Sequence, residues 1–394
     1  MLSIEQVPRY DSVITGYEFH TYKPYASNTF KNNDEIRLAF TQQDVISHPS
    51  GSSLVMEGKV EGKKADGTKA KVYMVNNGPA FLFEEARYEI SGIEVDRTKN
   101  LGVTTTIKNT LSIQQDELLS LENAGWYGVG KTKEIENFTF SLPVKYWLGV
   151  FEDYKKVVAN VKQEIILLRS ATDNNAFKSD DAQSITVTIT NLYWRVPHVT
   201  LDDETKLRVL RLVQKDFPVH IPFRSWEIYE YPNLPQTTRQ SWTIKTSNQL
   251  EKPRYIVYAQ QENRKNQIKT DASCFDSCQV TDVRVCLSSI PYPYESLKGN
   301  YCISYENFLD FQKSYFGRSY CSTIVSYEDF KKKMTLFVID CSKQVDRLKS
   351  GPVDVRLEIE AKENFPQNTT AYCLLLHDTH LIYTLLTGSV KRMM

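Results

Sequence analysis

One segment of the sequence has the residue types and spacing of a phosphate-binding loop. The run Gly125-Trp126-Tyr127-Gly128-Val129-Gly130-Lys131-Thr132 contains Gly, four further residues, Gly, Lys and then Thr. In a true phosphate loop, backbone N–H groups surround the phosphate oxygens, the lysine contacts them and the hydroxyl group holds Mg²⁺. Such a loop also requires a buried strand before it and a helix after it.

The residues around this run predict a different context. A polar, helix-like segment at residues 114–123 precedes it, and strand-like residues 138–142 follow it. No apolar run that ends in aspartate lies nearby to hold Mg²⁺. We therefore interpret residues 125–132 as an irregular glycine-rich loop, and a P-loop NTPase is the alternative function that this run keeps open.

The histidines and cysteines match no metal or catalytic motif. His377 and His380 flank Asp378, but residues three apart on a strand point to opposite faces, and we interpret them as a turn between two strands. The seven cysteines all follow residue 270 without CxxC spacing, which is typical of buried free thiols. The sequence thus predicts no catalytic, cofactor-binding or metal-binding residue, and a protein that is not an enzyme.

Charge and hydropathy exclude two broad classes of protein. The 48 basic residues balance the 48 acidic ones, and the longest basic run is Lys331-Lys332-Lys333. Proteins that grip nucleic acid carry basic patches or arms, so specific nucleic-acid binding is not expected. The first ten residues have no apolar run typical of a signal peptide, and no stretch is long and apolar enough to span a membrane. We expect synthesis in the cell interior.

The hydrophobic pattern predicts an all-β protein with a few short helices. Ile185, Val187 and Ile189 alternate with threonines. Over residues 353–361, apolar residues alternate with charged ones. This period of two is typical of half-buried strands. Other runs are apolar throughout, which favours strands covered on both faces; they lie at residues 165–168, 255–259, 336–339 and 372–376. Helices are predicted at residues 114–123, 144–158, 203–213 and 305–316.

The chain divides into two similar parts. Residues 173–181 are polar and loop-like, so we predict domains at 1–175 and 176–394. Each part is long enough for an eight-stranded jelly roll with insertions.

Ten segments, in order along the chain, carry a resemblance to a known family. They are Tyr88-Glu89-Ile90-Ser91-Gly92-Ile93-Glu94-Val95-Asp96-Arg97, Asn100-Leu101-Gly102-Val103-Thr104, Glu152-Asp153-Tyr154-Lys155-Lys156, Leu167-Leu168-Arg169-Ser170, Trp194-Arg195-Val196-Pro197-His198, Gln249-Leu250-Glu251-Lys252-Pro253-Arg254-Tyr255, Tyr292-Pro293-Tyr294, Gly351-Pro352-Val353-Asp354-Val355-Arg356-Leu357, Asn364-Phe365-Pro366 and Ala371-Tyr372. The sequence resembles the major capsid proteins of Polinton (Maverick) elements and adintovirus-like viruses over residues 80–390. The order of the segments makes the resemblance specific.

The resemblance implies a double jelly roll, two eight-stranded β-sandwiches side by side, that forms homotrimers. These would pack with neighbouring capsomers, penton and minor capsid proteins into the icosahedral shell of a virion. No cofactor is implied, and whether an internal membrane lines the shell stays open. A β-sandwich module that binds glycans is the remaining alternative.

Aromatic and basic residues in two segments are our candidates for core or trimer contacts, because Tyr, Trp and Arg concentrate at protein interfaces. They are Trp226, Tyr229, Tyr231, Lys252, Arg254 and Tyr255.

Overall fold

Alternating apolar and polar residues build two β-sandwiches, one after the other along the chain. The structure is a computed structural model that describes residues 13–25, 29–41, 46–244, 253–287, 290–293, 296–343 and 354–393. All statements on structure below concern these residues.

The first sandwich contains the strands up to residue 201. They are β1 (Ile14–Tyr22), β2 (Glu35–Phe40), β3 (Ile46–Ser47), β4 (Ser53–Lys63), β5 (Lys69–Ala70), β6 (Tyr73–Met74), β7 (Phe83–Ile90), β8 (Ile93–Lys99), β9 (Lys133–Glu134), β10 (Asn137–Pro143), β11 (Val158–Ala159), β12 (Gln163–Arg169), β13 (Phe177–Lys178) and β14 (Ser184–Leu201). One sheet places β1, β14, β4 and β10 side by side, and the other has the order β2-β12-β7-β8. The remaining strands are short pieces at the margins.

The second sandwich contains nine strands. They are β15 (Pro218–Tyr231), β16 (Arg239–Ile244), β17 (Pro253–Glu262), β18 (Val280–Leu287), β19 (Ile290–Tyr292), β20 (Phe337–Asp340), β21 (Val355–Ala361), β22 (Thr369–Thr384) and β23 (Val390–Met393). One sheet has the order β15-β22-β17-β20, with β23 added to β22, and the other has the order β16-β21-β18-β19.

The two sandwiches repeat one strand order. Eight strands of each roll are numbered along the chain, leaving out the short marginal strands of the first roll and β23 of the second. The first, eighth, third and sixth form one sheet, and the second, seventh, fourth and fifth form the other. This arrangement of two four-stranded sheets is the jelly roll. The predicted double jelly roll with inserted helices is confirmed.

The division between the rolls comes later in the chain than predicted. The predicted domains, 1–175 and 176–394, would assign β14 to the second roll, yet β14 pairs with β1 and β4 along its length. It is the eighth strand of the first roll. The polar loop at residues 173–181 is therefore a connection inside the first roll, and we place the division after Leu201.

Within the described ranges, seven α-helices fill the connections. They are α1 (Gly78–Phe81), α2 (Leu101–Ser112), α3 (Gln115–Leu118), α4 (Gly149–Asp153), α5 (Asp203–Gln214), α6 (Tyr301–Phe316) and α7 (Tyr327–Lys333). Short 3₁₀ turns lie at Pro49–Gly51, Leu119–Ala124, Val144–Tyr146 and Asn174–Ala176. No helix in the described part of the chain is long and apolar enough to cross a bilayer.

The helix predictions held where caps and apolar spacing agreed. Asp202 caps α5 by accepting a hydrogen bond from the Thr205 N–H, and Gly317 ends α6 with φ of 63°. The helix predicted at 144–158 is much shorter, since only α4 and a 3₁₀ turn form there. The helix α2 was not predicted. All twelve of its residues are buried, so it has no solvent-exposed face and its polar and apolar residues do not separate at helical spacing.

The burial pattern explains the runs that are apolar throughout. In β17, Ile256 and Tyr258 face the core of the second roll, while Tyr255 and Val257 belong to the larger core that continues into the first roll. One face of the sheet β15-β22-β17-β20 therefore packs against the opposite sheet of its own roll, and the other is covered by α6 and the core shared with the first roll. The prediction of strands covered on both faces is confirmed for 255–259 and 372–376.

Candidate functional site at the junction between the two rolls

A buried group of charged side chains lies where the two rolls meet. Lys108 on α2 and the neighbours Glu152 and Asp153 on α4 belong to the first roll. Arg224 on β15 and Tyr315 on α6 belong to the second. We call these five residues the junction cluster.

Two residues of β8 position the short helix α4. The Thr98 hydroxyl donates to the carbonyl oxygen of Trp147 at 2.8 Å, and the Val150 N–H donates to Asp96 Oδ2 at 3.0 Å. Burial raises the pKa of Asp96 to about 6, although these backbone donors favour the charged form. The carboxylate thus accepts hydrogen bonds from N–H groups at the start of α4 that have no partner within the helix.

Lys108 is the member of the cluster whose charge is most costly to bury, since its side chain has no exposed surface. Its ammonium donates to Glu152 and lies 4.3 Å from the ring centroid of Trp226. The Tyr315 hydroxyl donates to the other Glu152 oxygen at 2.9 Å. Burial lowers the pKa of Lys108, and the nearby Glu152 carboxylate opposes that shift. The ion pair joins two elements of the first roll under a tryptophan of the second.

Arg224 forms the direct link between the rolls. Its backbone N–H and its Nε both donate to Asp153 Oδ2 at 2.8 Å, and Nη2 donates to the second oxygen. The guanidinium lies 3.5 Å from the ring centroid of Tyr315. A bidentate pair of this kind is directional, so it sets orientation as well as contact.

Further hydrogen bonds cross the division between the rolls at several other points. Gln312 Nε2 donates to the Ile113 carbonyl at 3.1 Å, Asn160 Nδ2 to Leu385 at 3.0 Å, and the Ser179 N–H to Ile268 at 2.8 Å. These bonds and the continuous core across the junction hold the two rolls in one relative position. We call this arrangement a clamp, because its contacts fix the position of one roll relative to the other.

Two of the predicted site residues are core residues at this junction. Trp226 and Tyr255 are each only 2% exposed. The Tyr255 hydroxyl donates to Ser314 Oγ at 3.0 Å, and its ring contacts Phe311 and Tyr315 edge-on.

The other predicted residues lie apart from the cluster. Tyr229 and Tyr231 are half-buried against the core of the second roll, where Tyr231 packs edge-on against Trp242. Arg254 is exposed and pairs with Asp378 at 2.7 Å. Lys252 lies outside the described residues, as do the matching segments 249–251 and 351–353 and Tyr294.

Sequence reasoning missed the junction cluster itself. Glu152 and Asp153 fell in a segment that we used only as a sign of family resemblance. Lys108 stands among threonines and resembles an exposed residue of a strand. No local pattern distinguishes these residues, because their partners lie 44 to 163 positions away.

The loop at residues 125–132 has none of the geometry of a phosphate loop. A 3₁₀ turn precedes it and the two-residue strand β9 follows it. The amides that would bind phosphate are occupied, because the Tyr127 and Gly128 N–H groups both donate to Asn76 Oδ1, at 2.8 and 3.1 Å. The Lys131 N–H donates to the Gly128 carbonyl at 3.1 Å. The interpretation as an irregular loop agrees with this structure.

We expect no change in melting temperature when Mg²⁺ and ATP are added to the protein. The occupied amides leave no cradle for phosphate, so Lys131→Ala should behave as the unmodified protein does in the same thermal unfolding assay. A nucleotide-dependent rise in melting temperature that disappears in Lys131→Ala would contradict this.

The histidines predicted to lie in a turn instead lie within strand β22, and that prediction was wrong. His377 is buried, with Nε2 2.8 Å from Ser225 Oγ, and burial lowers its pKa to about 4. His380 is on the opposite face, as its spacing requires. Among the described residues, no three His, Cys, Asp or Glu side chains form a group that could hold a metal ion.

Comparison with known proteins identifies the same architecture. A family model described as a double jelly roll-like domain matches residues 72–381. No curated protein matches the sequence.

Solved structures resemble the chain over nearly its full length. VP54 of PBCV-1, fitted into a cryo-EM reconstruction of the virophage Sputnik, has a TM-score of 0.65 at 10% identity, covering 100% of this chain and 99% of that one. The mavirus major capsid protein has a TM-score of 0.56 at 12% identity, covering 100% and 93%. The faustovirus major capsid protein has a TM-score of 0.60 at 8% identity, covering 95% and 92%. Identities this low establish likeness of fold.

Proposed function

We propose that this chain, which belongs to the double jelly roll-like domain family, is the major capsid protein of a virus. The observation that carries the proposal is the likeness to capsid proteins over both rolls and the whole chain, at a TM-score of 0.65 for VP54. Capsid proteins work by repeating one rigid shape under symmetry. A clamp of buried ion pairs between two rolls suits that task better than it suits catalysis.

The proposed assembly unit is a homotrimer. Each chain holds two rolls of the same strand order side by side, so three chains would place similar rolls around a threefold axis with a hexagonal outline. Hexagonal units can pack as neighbouring capsomers in an icosahedral shell. A formal net charge of +0 lets like units approach without strong repulsion.

Among the described candidate residues, Arg254 is the one that we propose for contact with another subunit. Its side chain is exposed beside Asp378, whereas Trp226 and Tyr255 are internal. We propose that Tyr229 and Tyr231, which are half-buried, support the core of the second roll. Arginine at the centre of an interface is a common source of binding energy.

The finer identity of the proposed capsid protein rests on the ordered sequence segments. They support a relationship to the Polinton (Maverick) and adintovirus-like capsid proteins. Penton and minor capsid proteins are the further partners expected in such a virion. The balanced charge supports a shell protein without specific nucleic-acid binding.

We expect purified protein to form trimers with a hexagonal outline, or closed shells, in negative-stain electron microscopy. Its mass in solution should equal three chains of 45.5 kDa, or a multiple of such trimers. Subunit packing across repeated, symmetry-related contacts is the physical reason. A monodisperse monomer at high protein concentration would argue against the capsid function.

A further inference from the structure

Two histidines on neighbouring strands of the second roll approach each other closely. His220 on β15 and His380 on β22 place Nδ1 and Nε2 2.9 Å apart, with their ring planes at 35°. His220 is exposed and His380 is half-exposed, so neither the core nor the junction cluster requires them. The two imidazole nitrogens are within hydrogen-bond distance of each other, so both could also bind a single ion between them.

The separation of the nitrogens suits a bound metal ion. Imidazole nitrogens bind transition metals at about 2.0–2.1 Å, and Cu²⁺ and Ni²⁺ favour square-planar or tetragonal geometry, so two adjacent nitrogen ligands of one such ion lie about 2.9 Å apart. The present separation of 2.9 Å fits this arrangement after a rotation of the rings, and both rings reach solvent. Neighbouring strands supply a rigid base for such a pair.

A third donor lies on the same face of the sheet. Met393 on β23 is directly opposite His380 in the strand register, and residues in direct register share a face. Both side chains line an open cavity of about 560 Å³. Thioether sulfur is a soft ligand that selects Cu(I) and binds Cu²⁺ only weakly, at an axial position, so the two imidazoles carry the affinity for Cu²⁺. Lys391, opposite Ile382 on that face, adds a positive charge that moderates the affinity for any cation.

The other surface pair of histidines lacks this geometry. His20 and His198 stack with ring centroids 4.0 Å apart and planes at 14°. Stacked rings direct their nitrogens side by side rather than toward each other, and His198 Nε2 already bonds the Tyr22 hydroxyl at 2.9 Å. His20 and His198 therefore serve as a matched control for the pair His220 and His380.

We propose that His220 and His380 form a binding site for one divalent transition-metal ion, with preference for Cu²⁺ over Ni²⁺ and Zn²⁺. This order follows the general ranking of these ions at nitrogen ligands. The bound ion takes the place of the proton between the rings and ties the first long strand of the second roll to its eighth. The site is independent of the capsid function.

Titration of tag-free, full-length protein with Ni²⁺ in a calorimeter tests the site. All variants carry Cys302→Ser, because Cys302 is an exposed thiol that could bind metal by itself. We expect saturable binding of one ion per chain, weakened at least about tenfold by His220→Ala and by His380→Ala, since each removes a direct ligand. The control His20→Ala should bind as tightly as the parent protein.

Electron paramagnetic resonance of the Cu²⁺ complex provides a second measurement. Hyperfine coupling to two imidazole nitrogens is expected in the parent and in His20→Ala, and coupling to fewer nitrogens in His220→Ala and His380→Ala. Absence of saturable binding at millimolar ion, or equal binding by the parent and His380→Ala, would overturn the assignment. Neither result would alter the electron microscopy test of capsid assembly.

Discussion

Glu152→Ala is expected to lower the free energy of unfolding by about 3–5 kcal/mol, the usual cost of removing one partner of a buried ion pair. The substitution leaves the Lys108 ammonium with no exposed surface and without its carboxylate partner. It also removes the acceptor of the Tyr315 hydroxyl. Urea-induced unfolding, followed by tryptophan fluorescence, measures the loss, because Trp226 lies over Lys108.

Two comparisons make this result specific to burial. Glu204→Ala breaks an exposed pair with Arg208 that spans 3.1 Å, and it should cost less than about 1 kcal/mol. The double variant Lys108→Met, Glu152→Leu replaces the buried pair by apolar side chains and should recover most of the stability. If Glu152→Ala and Glu204→Ala cost the same, the role that we assign to the buried pair is wrong.

Gly149→Ala should destabilise the protein by about 3 kcal/mol, at the upper end for overpacking, and should shift the rolls relative to each other. A Cβ atom at Gly149 would lie 1.9 Å from the backbone carbonyl oxygen of Arg224 and 3.4 Å from Trp226 Nε1. A backbone atom in a strand cannot rotate away as a side chain can. The helix α4 must then move from β15, and Asp153 moves with it.

Thermal unfolding and negative-stain microscopy together measure both effects of Gly149→Ala. We expect a lower melting temperature and fewer hexagonal trimers, since a displaced roll alters the shape that symmetry repeats. Gly16→Ala is the matched control, because its new Cβ would meet only the Thr200 side chain, at 3.2 Å. Unchanged melting and assembly of Gly149→Ala would contradict the close contact between the rolls.

Local patterns predicted the strands because the period of two reports burial directly. The run at 255–259 is apolar at every position, and β17 is indeed covered on both faces. The residues at the helix ends identified α5 and α6 for a similar local reason. Asp202 accepts a hydrogen bond from a backbone N–H at the start of α5, and Gly317 adopts the left-handed conformation that ends α6. The buried helix α2 had no such signal, because four threonines and a lysine point into protein rather than solvent.

None of the five residues of the junction cluster was predicted, and the sequence indicated only two core residues beside it. Trp226 and Tyr255 are large aromatic residues, and both lie in the core. Arg224 was not among our candidates, although it makes the bidentate contact that joins the rolls. The phosphate-loop pattern is the opposite case, since its residues match the motif while its amides bond Asn76, about 50 positions earlier in the chain, and only the neighbouring segments indicated an irregular loop.

The sequence by itself determined the class of fold, the presence of two rolls and the absence of a recognisable catalytic motif. The all-β class follows from hydrophobic periodicity and the absence of a catalytic motif from spacing, both of which act over a few residues. The two rolls were implied by the resemblance of the ordered segments to capsid proteins. The tertiary structure decided where the rolls divide, because β14 reveals its roll only through pairing with β1 and β4. It also decided which charges are buried. A lysine becomes a core residue only when distant parts of the chain bring a carboxylate and a tryptophan to it, and no local pattern encodes that meeting.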